Sequence, residues 1–167
     1  MNTDKKIRVL VVDDSIVSRE MIVRGISKDP MIEVVAAASD PFDARDKILQ
    51  ALPNVIICDV EMPKMNGIEF VRQLMPQYFI PVIMVSGASN AVFEALEAGA
   101  VDFVAKPNVR TPGAMEAFIG DIVQKIKTGV MAKAVPRGGR NVMTKPETAK
   151  RGKAINLIAI GASTGGT

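Results

Sequence analysis

Histidine is absent from the 167-residue sequence, and cysteine occurs only once, at Cys58. Without histidine the chain can hold neither a histidine general base, nor a Ser-His-Asp triad, nor a histidine-ligated metal. A single cysteine excludes an internal disulfide and a structural zinc site. Cys58 lies in an apolar run, so we expect a core side chain rather than a redox group. Any metal site should therefore consist of oxygen ligands, as Mg²⁺ and Ca²⁺ prefer.

Long hydrophobic runs are also missing. The longest, residues 154–162, is interrupted by Asn156 and is too short to span a bilayer. The N-terminus has no apolar core of the length that a signal peptide needs. An apolar fraction of 48% nevertheless excludes disorder over most of the chain. We therefore expect a globular protein of the cytoplasm that does not insert into membranes.

Charge is divided unevenly along the chain. Residues 1–128 carry 14 Lys and Arg against 17 Asp and Glu, whereas residues 129–167 carry 7 Lys and Arg against Glu147 alone. A basic tail of this kind can bind nucleic acid. This one contains no aromatic residue on which bases could stack, so a solvated linker is the favoured interpretation. Nucleic acid is not an expected partner.

Short β-branched runs alternate with helical patterns along residues 7–128. Apolar residues three and four positions apart predict a helix after each run, the last from Pro112 to about Thr128. Such alternation is typical of a parallel sheet covered by helices on both faces. The expected class is α/β, with a doubly wound five-stranded parallel sheet. Its strands are predicted at residues 7–12, 33–37, 55–58, 81–85 and 101–105.

The C-terminal part changes character. Residues 129–153 contain Pro, Gly and scattered charge without periodicity, which predicts a flexible linker. Residues 155–160 form another strand pattern, and a glycine-rich stretch ends the chain. These last residues are too few to bury themselves, so the sequence looks cut just inside a second domain. The predicted division is residues 1–128, 129–153 and 154–167.

Polar side chains follow four of the predicted strands. Asp13 and Asp14 end the first strand, Asp59 the third, Ser86 the fourth and Lys106 the fifth. Ligands of an open parallel sheet bind beyond the carboxyl ends of its strands, where these residues would meet. Carboxylates that close repel one another, and a divalent cation such as Mg²⁺ relieves the repulsion. Each acid taken alone has the alternative role of a helix cap.

This pattern resembles the receiver domain of two-component response regulators. The resemblance covers residues 7–128 and rests on a specific motif set: Asp13-Asp14, Asp59 with Met62-Pro63 and Gly67 after it, Ser86, and Lys106-Pro107. It implies a flavodoxin-like fold with strand order 2-1-3-4-5. It also implies that a histidine kinase transfers a phosphoryl group to an aspartate of the domain.

The resemblance implies which residues bind the phosphoryl group and its cation. Asp59 would be the phosphoacceptor. Mg²⁺ would be held by Asp14, Asp59 and the backbone carbonyl of Glu61, and Asp13 would assist through a water molecule.

The remaining implied residues belong to the switch. Ser86 would hydrogen-bond the phosphoryl group, and Lys106 would pair with it. Phe103 on the fifth strand would turn inward, although plain core packing is the alternative for this side chain. We also expect a cis peptide between Lys106 and Pro107, because Lys106 must turn its amine back across the sheet edge.

The tail resembles the start of the catalytic domain of chemotaxis protein-glutamate methylesterases. The match is the strand of residues 155–160 followed by the glycine-rich turn of residues 161–167. It implies that Ser163 is the nucleophile of a triad whose His and Asp lie beyond this chain, so the chain itself should be inactive as an esterase. Phosphorylation would then control demethylation of chemoreceptors, with glutamine deamidation as a further activity.

Other interpretations of the tail remain open. A glycine-rich turn after a strand also suits a dinucleotide phosphate loop. A stand-alone receiver would need no further strand, and a helix-turn-helix effector would begin with a helix rather than with a strand. The expected partners are thus a chemotaxis histidine kinase and, through the missing domain, methyl-accepting chemoreceptors.

Overall fold

Five strands and five helices alternate along the part of the chain that the structure describes. The computed structural model describes residues 5–108 and 110–134, with side chains as far as residue 131. The strands are β1 Ile7–Val12, β2 Ile32–Ala38, β3 Val55–Asp59, β4 Val82–Ser86 and β5 Asp102–Ala105. The helices are α1 Ile16–Ile26, α2 Pro41–Ala51, α3 Gly67–Leu74, α4 Val92–Ala98 and α5 Ala114–Ala134, with a 3₁₀ turn at Ser89–Ala91 before α4.

The sheet is parallel, and its strand order is β2-β1-β3-β4-β5. Every side chain of β3 and β4 is buried, which agrees with the apolar runs that precede Asp59 and Ser86 at the ends of these strands. The predicted fold class and strand order are therefore confirmed.

Successive residues of each strand point to opposite faces of the sheet, so the described residues form two hydrophobic cores, one on each face. Leu10 and Val12 of β1 pack under α2, α3 and α4. Val9 and Val11 of the same strand pack under α1 and α5. This alternation, repeated in the central strands, buries both faces and produces the doubly wound arrangement.

Polar side chains cap the first three helices, α1, α2 and α3. The Ser15 side chain accepts a hydrogen bond from the Ser18 backbone N–H at the start of α1, and Asn66 caps α3 in the same manner through the Glu69 N–H. Since Ser15 provides the cap of α1, the adjacent Asp14 is not needed for it. The short turn between β1 and α1 therefore leaves Asp14 exposed at the sheet edge.

Helix α5 extends beyond its predicted end at Thr128 as far as Ala134, the last residue that the structure describes. Its apolar side continues past that position, because Ile126 is buried and Val130 packs against the same core. The glycine at position 129 does not interrupt the helix. No described helix is both long and apolar enough to cross a membrane. The rest of the predicted linker, and the tail that contains Ser163, lie outside the described residues.

Candidate functional site

Three aspartates meet at the carboxyl edge of the sheet. Asp13 and Asp14 directly follow β1, and Asp59 is the last residue of the neighbouring strand β3. Carboxylate oxygens of the three residues lie within 4.8 Å of one another. Asp13 and Asp59 are only 1% and 3% exposed, whereas Asp14 faces solvent. Two buried carboxylates and one accessible carboxylate thus share a single small site.

Lys106 is the cation of this site. Its Nζ lies 3.3 Å from Asp59 Oδ2 and 3.5 Å from Asp13 Oδ2. The backbone N–H of Lys106 donates to the Ser86 carbonyl oxygen over 2.9 Å, so the pairing of β5 with β4 continues up to the lysine. The extended strand already directs the amine toward the carboxylates.

The predicted cis peptide between Lys106 and Pro107 is wrong. No described peptide bond is cis. The amine of Lys106 reaches the two buried aspartates from the end of a regular strand, so the chain does not need a sharp reversal at this bond.

Asp13 is held by groups of the chain itself. Its Oδ1 accepts a hydrogen bond from the Ser15 N–H at 2.9 Å, and its Oδ2 accepts one from the Ser18 hydroxyl at 2.5 Å. The Arg19 guanidinium donates to the Asp13 backbone carbonyl at 2.6 Å. With both carboxylate oxygens engaged, Asp13 is less available for a direct metal bond than the exposed Asp14.

Burial and neighbouring charges shift the ionisation of the site. Burial, together with the negative charge of Asp13, raises the pKa of Asp59 to about 6, although Lys106 opposes the shift. Burial disfavours the charge of Lys106, yet attraction to Asp59 and Asp13 outweighs it and raises the pKa of the ammonium. Both shifts reflect two buried carboxylates that share a single ammonium group.

The site suits a hard divalent cation. Its candidate ligands are carboxylate oxygens that lie close enough together to bind one ion. The negative charge of the three carboxylates exceeds the single positive charge of Lys106. Mg²⁺ prefers a few carboxylates together with water molecules, and the exposed side of Asp14 gives water access. The residues therefore fit the predicted magnesium ion.

Ser86 lies at the end of β4, beside Asp59, and is fully buried. Its hydroxyl donates a hydrogen bond to Glu61 Oε2. Its Oγ also accepts a hydrogen bond from the Ala88 backbone N–H over 2.9 Å. Glu61 is anchored near the site, because its own N–H points at Asp59 Oδ1 over 3.4 Å. The Ser86 hydroxyl is thus engaged both as donor and as acceptor.

Gly67 allows the close approach of α3 to the end of β3. A Cβ atom at this position would lie 2.1 Å from the Asp59 carbonyl oxygen and 2.8 Å from the Met84 side chain. The Gly67 N–H donates to the Val60 carbonyl oxygen over 2.8 Å, which closes the loop that follows Asp59. Any side chain at this position would displace the backbone that carries Asp59.

Phe103 is a buried side chain of β5, in the same core cluster as Met84. Cys58 is also fully buried, and burial raises the pKa of its thiol, as expected for a core side chain.

The sequence pattern predicts no side-chain role for three residues that contact the site, Ser18, Arg19 and Glu61. Ser18 was assigned no role, although a serine in the first turn of a helix that follows two aspartates lies within reach of them. Glu61 was considered only for its backbone carbonyl. Its position two residues after Asp59 was the available signal, but the contact with Ser86 depends on the relative placement of β3 and β4.

Comparisons with known proteins place these features in context. The family description of the response regulator receiver domain matches residues 9–115. A protein-glutamate methylesterase/protein-glutamine glutaminase of Syntrophomonas wolfei is 49% identical over 164 residues, which is 97% of this chain and 47% of that protein. A counterpart from Syntrophotalea carbinolica is 43% identical over 98% of this chain and 49% of its own length. The chain thus spans about half the length of these curated relatives.

Solved structures show the same similarity. The response regulator domain of Thermotoga maritima CheB has a TM-score of 0.68 and 37% identity, over 76% of this chain and 98% of that one. A chain of the CheX-CheY-BeF3-Mg complex from Borrelia burgdorferi matches with a TM-score of 0.63 and 25% identity, over 76% of this chain and 91% of that chain.

Proposed function

Because this chain belongs to the response regulator receiver domain family, as the receiver of a CheB-type chemotaxis regulator, we propose that Asp59 accepts a phosphoryl group from a histidine kinase. The observation that carries the proposal is the burial of the Asp59 carboxylate between Asp13 and Lys106. A carboxylate at the edge of the sheet, beside a fixed ammonium group, is a nucleophile placed where added negative charge is tolerated.

The chain's own groups define the transfer step. A carboxylate oxygen of Asp59 forms a bond to phosphorus, and the phosphorus–nitrogen bond of the kinase phosphohistidine breaks, with its electron pair returning to the imidazole. The Lys106 ammonium, 3.3 Å from the Asp59 carboxylate, pairs with the transferred group. The Ser86 hydroxyl donates a hydrogen bond to a phosphoryl oxygen. These groups act by position and charge, which is the main task of the protein in phosphoryl transfer.

Asp14, Asp59 and the backbone carbonyl of Glu61 are the proposed magnesium ligands, with Asp13 acting through water. When bound, Mg²⁺ neutralises charge on the phosphoryl oxygens. The three clustered carboxylates support this assignment. So does the similar chain from Borrelia burgdorferi, whose complex contains beryllofluoride and magnesium. The Asp14 side chain is exposed to solvent, whereas both carboxylate oxygens of Asp13 already accept hydrogen bonds. Asp14 is therefore favoured as the direct ligand.

For the whole protein we propose phosphorylation-controlled methyl ester hydrolysis. The relatives from Syntrophomonas wolfei and Syntrophotalea carbinolica are methylesterases and glutaminases, and they match nearly the full length of this chain. Residues 129–153 would then be the linker, and residues 154–167 the start of the catalytic domain. Ser163 would be the nucleophile of that domain, and phosphorylation of Asp59 would control its activity. The proposed substrates are chemoreceptor glutamates, and the proposed location is the cytoplasm.

The test uses beryllofluoride, which mimics the phosphoryl group, with binding followed by fluorine NMR. We expect wild-type protein to bind it only with Mg²⁺, and Asp59→Asn to abolish binding. Asp14→Ala should weaken Mg²⁺ binding by at least about tenfold, because a direct carboxylate ligand is lost. Asp46→Asn is the matched control, since this aspartate is exposed on α2.

The assignment of the phosphoacceptor also has a direct chemical readout. After phosphorylation by a small-molecule phosphodonor, mass spectrometry should find the label on Asp59. Label on another residue, or retained in the Asp59→Asn protein, would contradict the proposal.

A further inference from the structure

The Ser86 hydroxyl has only one hydrogen to donate. In this structure that hydrogen is directed to Oε2 of Glu61, while the Oγ atom accepts from the Ala88 N–H. Ser86 is fully buried, so solvent does not compete for the hydroxyl. A phosphoryl oxygen on Asp59 can therefore receive this hydrogen only after the Glu61 carboxylate has lost it.

We propose that the Glu61 side chain is a positioning residue that holds the Ser86 hydroxyl in its unphosphorylated orientation and must be displaced before the switch can proceed. The inference rests on the proposed phosphorylation of Asp59. It adds a side-chain role for Glu61, separate from the backbone carbonyl that would bind magnesium.

The placement of Glu61 suits a reversible latch. Its backbone is anchored by the N–H directed to Asp59 Oδ1, and the loop that follows is closed by the hydrogen bond between Gly67 and Val60. The residue itself is exposed, so its carboxylate can move into solvent without losing packing. A phosphoryl group carries about two negative charges and would repel the carboxylate from the site. The same event thus supplies both the competitor for the hydrogen and the force that removes Glu61.

Release of the Ser86 hydroxyl from Glu61 would also affect the hydrogen bonding of the loop that follows β4. The Ala88 N–H, which donates to Ser86 Oγ, immediately precedes the 3₁₀ turn Ser89–Ala91 and helix α4. When the hydroxyl rotates toward a phosphoryl oxygen, this N–H loses or weakens its bond. Glu61 therefore fixes the start of the α4 segment as long as Asp59 is unmodified.

A double-mutant cycle tests the latch, because removal of Glu61 also removes a negative charge. The affinity for beryllofluoride in the presence of Mg²⁺ is measured for wild type, Glu61→Ala, Ser86→Ala and the double variant. We expect Glu61→Ala to raise the affinity by about tenfold when Ser86 is present. In the Ser86→Ala background the gain should be at least about threefold smaller, since only the charge effect remains. Glu61→Gln, which keeps an acceptor but loses the charge, should fall between wild type and Glu61→Ala.

A second readout needs no phosphoryl mimic. In magnesium-free protein, amide hydrogen exchange at Ala88 should be faster in Glu61→Ala than in wild type, because the Ser86 hydroxyl is no longer fixed. Exchange at Val60, whose N–H donates to the Val85 carbonyl, is the internal control and should not change.

Three results would overturn the latch. If Glu61→Ala raises the affinity equally with and without Ser86, Glu61 acts only through its charge. If amide exchange at Ala88 is unchanged in Glu61→Ala, Glu61 does not restrain the Ser86 hydroxyl. If wild-type protein binds no beryllofluoride at all, the proposed phosphorylation fails and the latch fails with it. Binding that requires Asp59 but shows no coupling leaves the proposed function intact and rejects the latch alone.

Discussion

Asp59 combines a buried position with negatively charged neighbours. Burial and Asp13 both disfavour its ionised form, and Lys106 compensates only in part, so its pKa rises from 3.8 to about 6. At neutral pH the carboxylate is ionised and therefore costs stability in the folded domain. A strand end with only a structural role would avoid this cost, so the unfavourable buried charge is a property of the site rather than of the fold.

We therefore expect Asp59→Asn to stabilise the metal-free domain at pH 7. The folded protein has the higher pKa, so between pH 3.8 and about 6 it binds more protons than the unfolded chain, and the penalty develops as the pH rises through this window. The free energy of unfolding should increase by about 1–2 kcal/mol, less than the full pKa shift corresponds to, because solvent screens the charge of this half-buried site.

Urea unfolding in the presence of a metal chelator, at pH 7 and again near pH 4, measures this effect. The gain should be largely lost near pH 4, where Asp59 is protonated in the folded state and partly protonated in the unfolded chain. The exposed control Asp46→Asn should show no comparable gain at either pH. A gain that is equal at both pH values would mean that the amide stabilises by packing rather than by removing charge.

At the scale of elements, α1 and α5 cover the same face of the sheet and contact each other closely. Ile22 and Ile26 of α1 share one core with Ile122 of α5. The two helices approach each other at Gly25 of α1, where a Cβ atom would lie 2.6 Å from Ile119 Cδ1 on α5. A glycine near the end of a helix is thus required here by the neighbouring helix.

Two glycine substitutions should consequently have opposite effects. Gly25→Ala improves helix propensity but forces Ile119 out of its position, and we expect a net loss of about 1 kcal/mol in unfolding free energy. Gly120→Ala on α5 meets no atom within 4 Å, so the same substitution should stabilise by about 0.5–1 kcal/mol. Thermal or urea unfolding of the two variants checks both signs. Stabilisation by both would show that Ile119 yields without cost.

At the scale of the whole molecule, the parallel sheet brings residues from distant parts of the sequence to one edge. The carboxyl ends of four different strands carry the site residues Asp13, Asp59, Ser86 and Lys106. These strand ends meet at one edge because all strands of the sheet run in the same direction. The proposed output requires a second catalytic site, whose nucleophile would be Ser163. A serine hydroxyl is a weak nucleophile at neutral pH and needs an adjacent base.

We therefore expect the 167-residue chain to bind beryllofluoride but to lack methylesterase activity, because it contains no histidine. Release of methanol from methylated chemoreceptor should not exceed the rate in buffer. A longer protein that includes the rest of the proposed catalytic domain is the positive control, and its activity should rise when the receiver is phosphorylated. Hydrolysis by the short chain would contradict the assignment of Ser163 to a histidine-dependent triad.

Much of the fold and of the candidate site was predictable from local sequence. The strand Ile7–Val12 agrees with its predicted bounds, and the helix Ile16–Ile26 follows it as predicted, because apolar periodicity and end caps act over a few residues. The end of α5 was not predicted, since its continuation depends on Val130 packing against a distant core. The cis peptide before Pro107 was predicted from an assumed need for reversal that the strand geometry removes.

The sequence by itself determined the alternating α/β order, the oxygen-only character of any metal site and the polar residues at the strand ends, because these follow from residue type and periodicity. Tertiary structure alone decided how these groups contact one another. It engages both oxygens of the Asp13 carboxylate, raises the pKa of Asp59 by burying it, and gives the single hydroxyl hydrogen of Ser86 to Glu61. Distances and desolvation between separate strands depend on packing across the sheet, for which the local sequence pattern carries no signal.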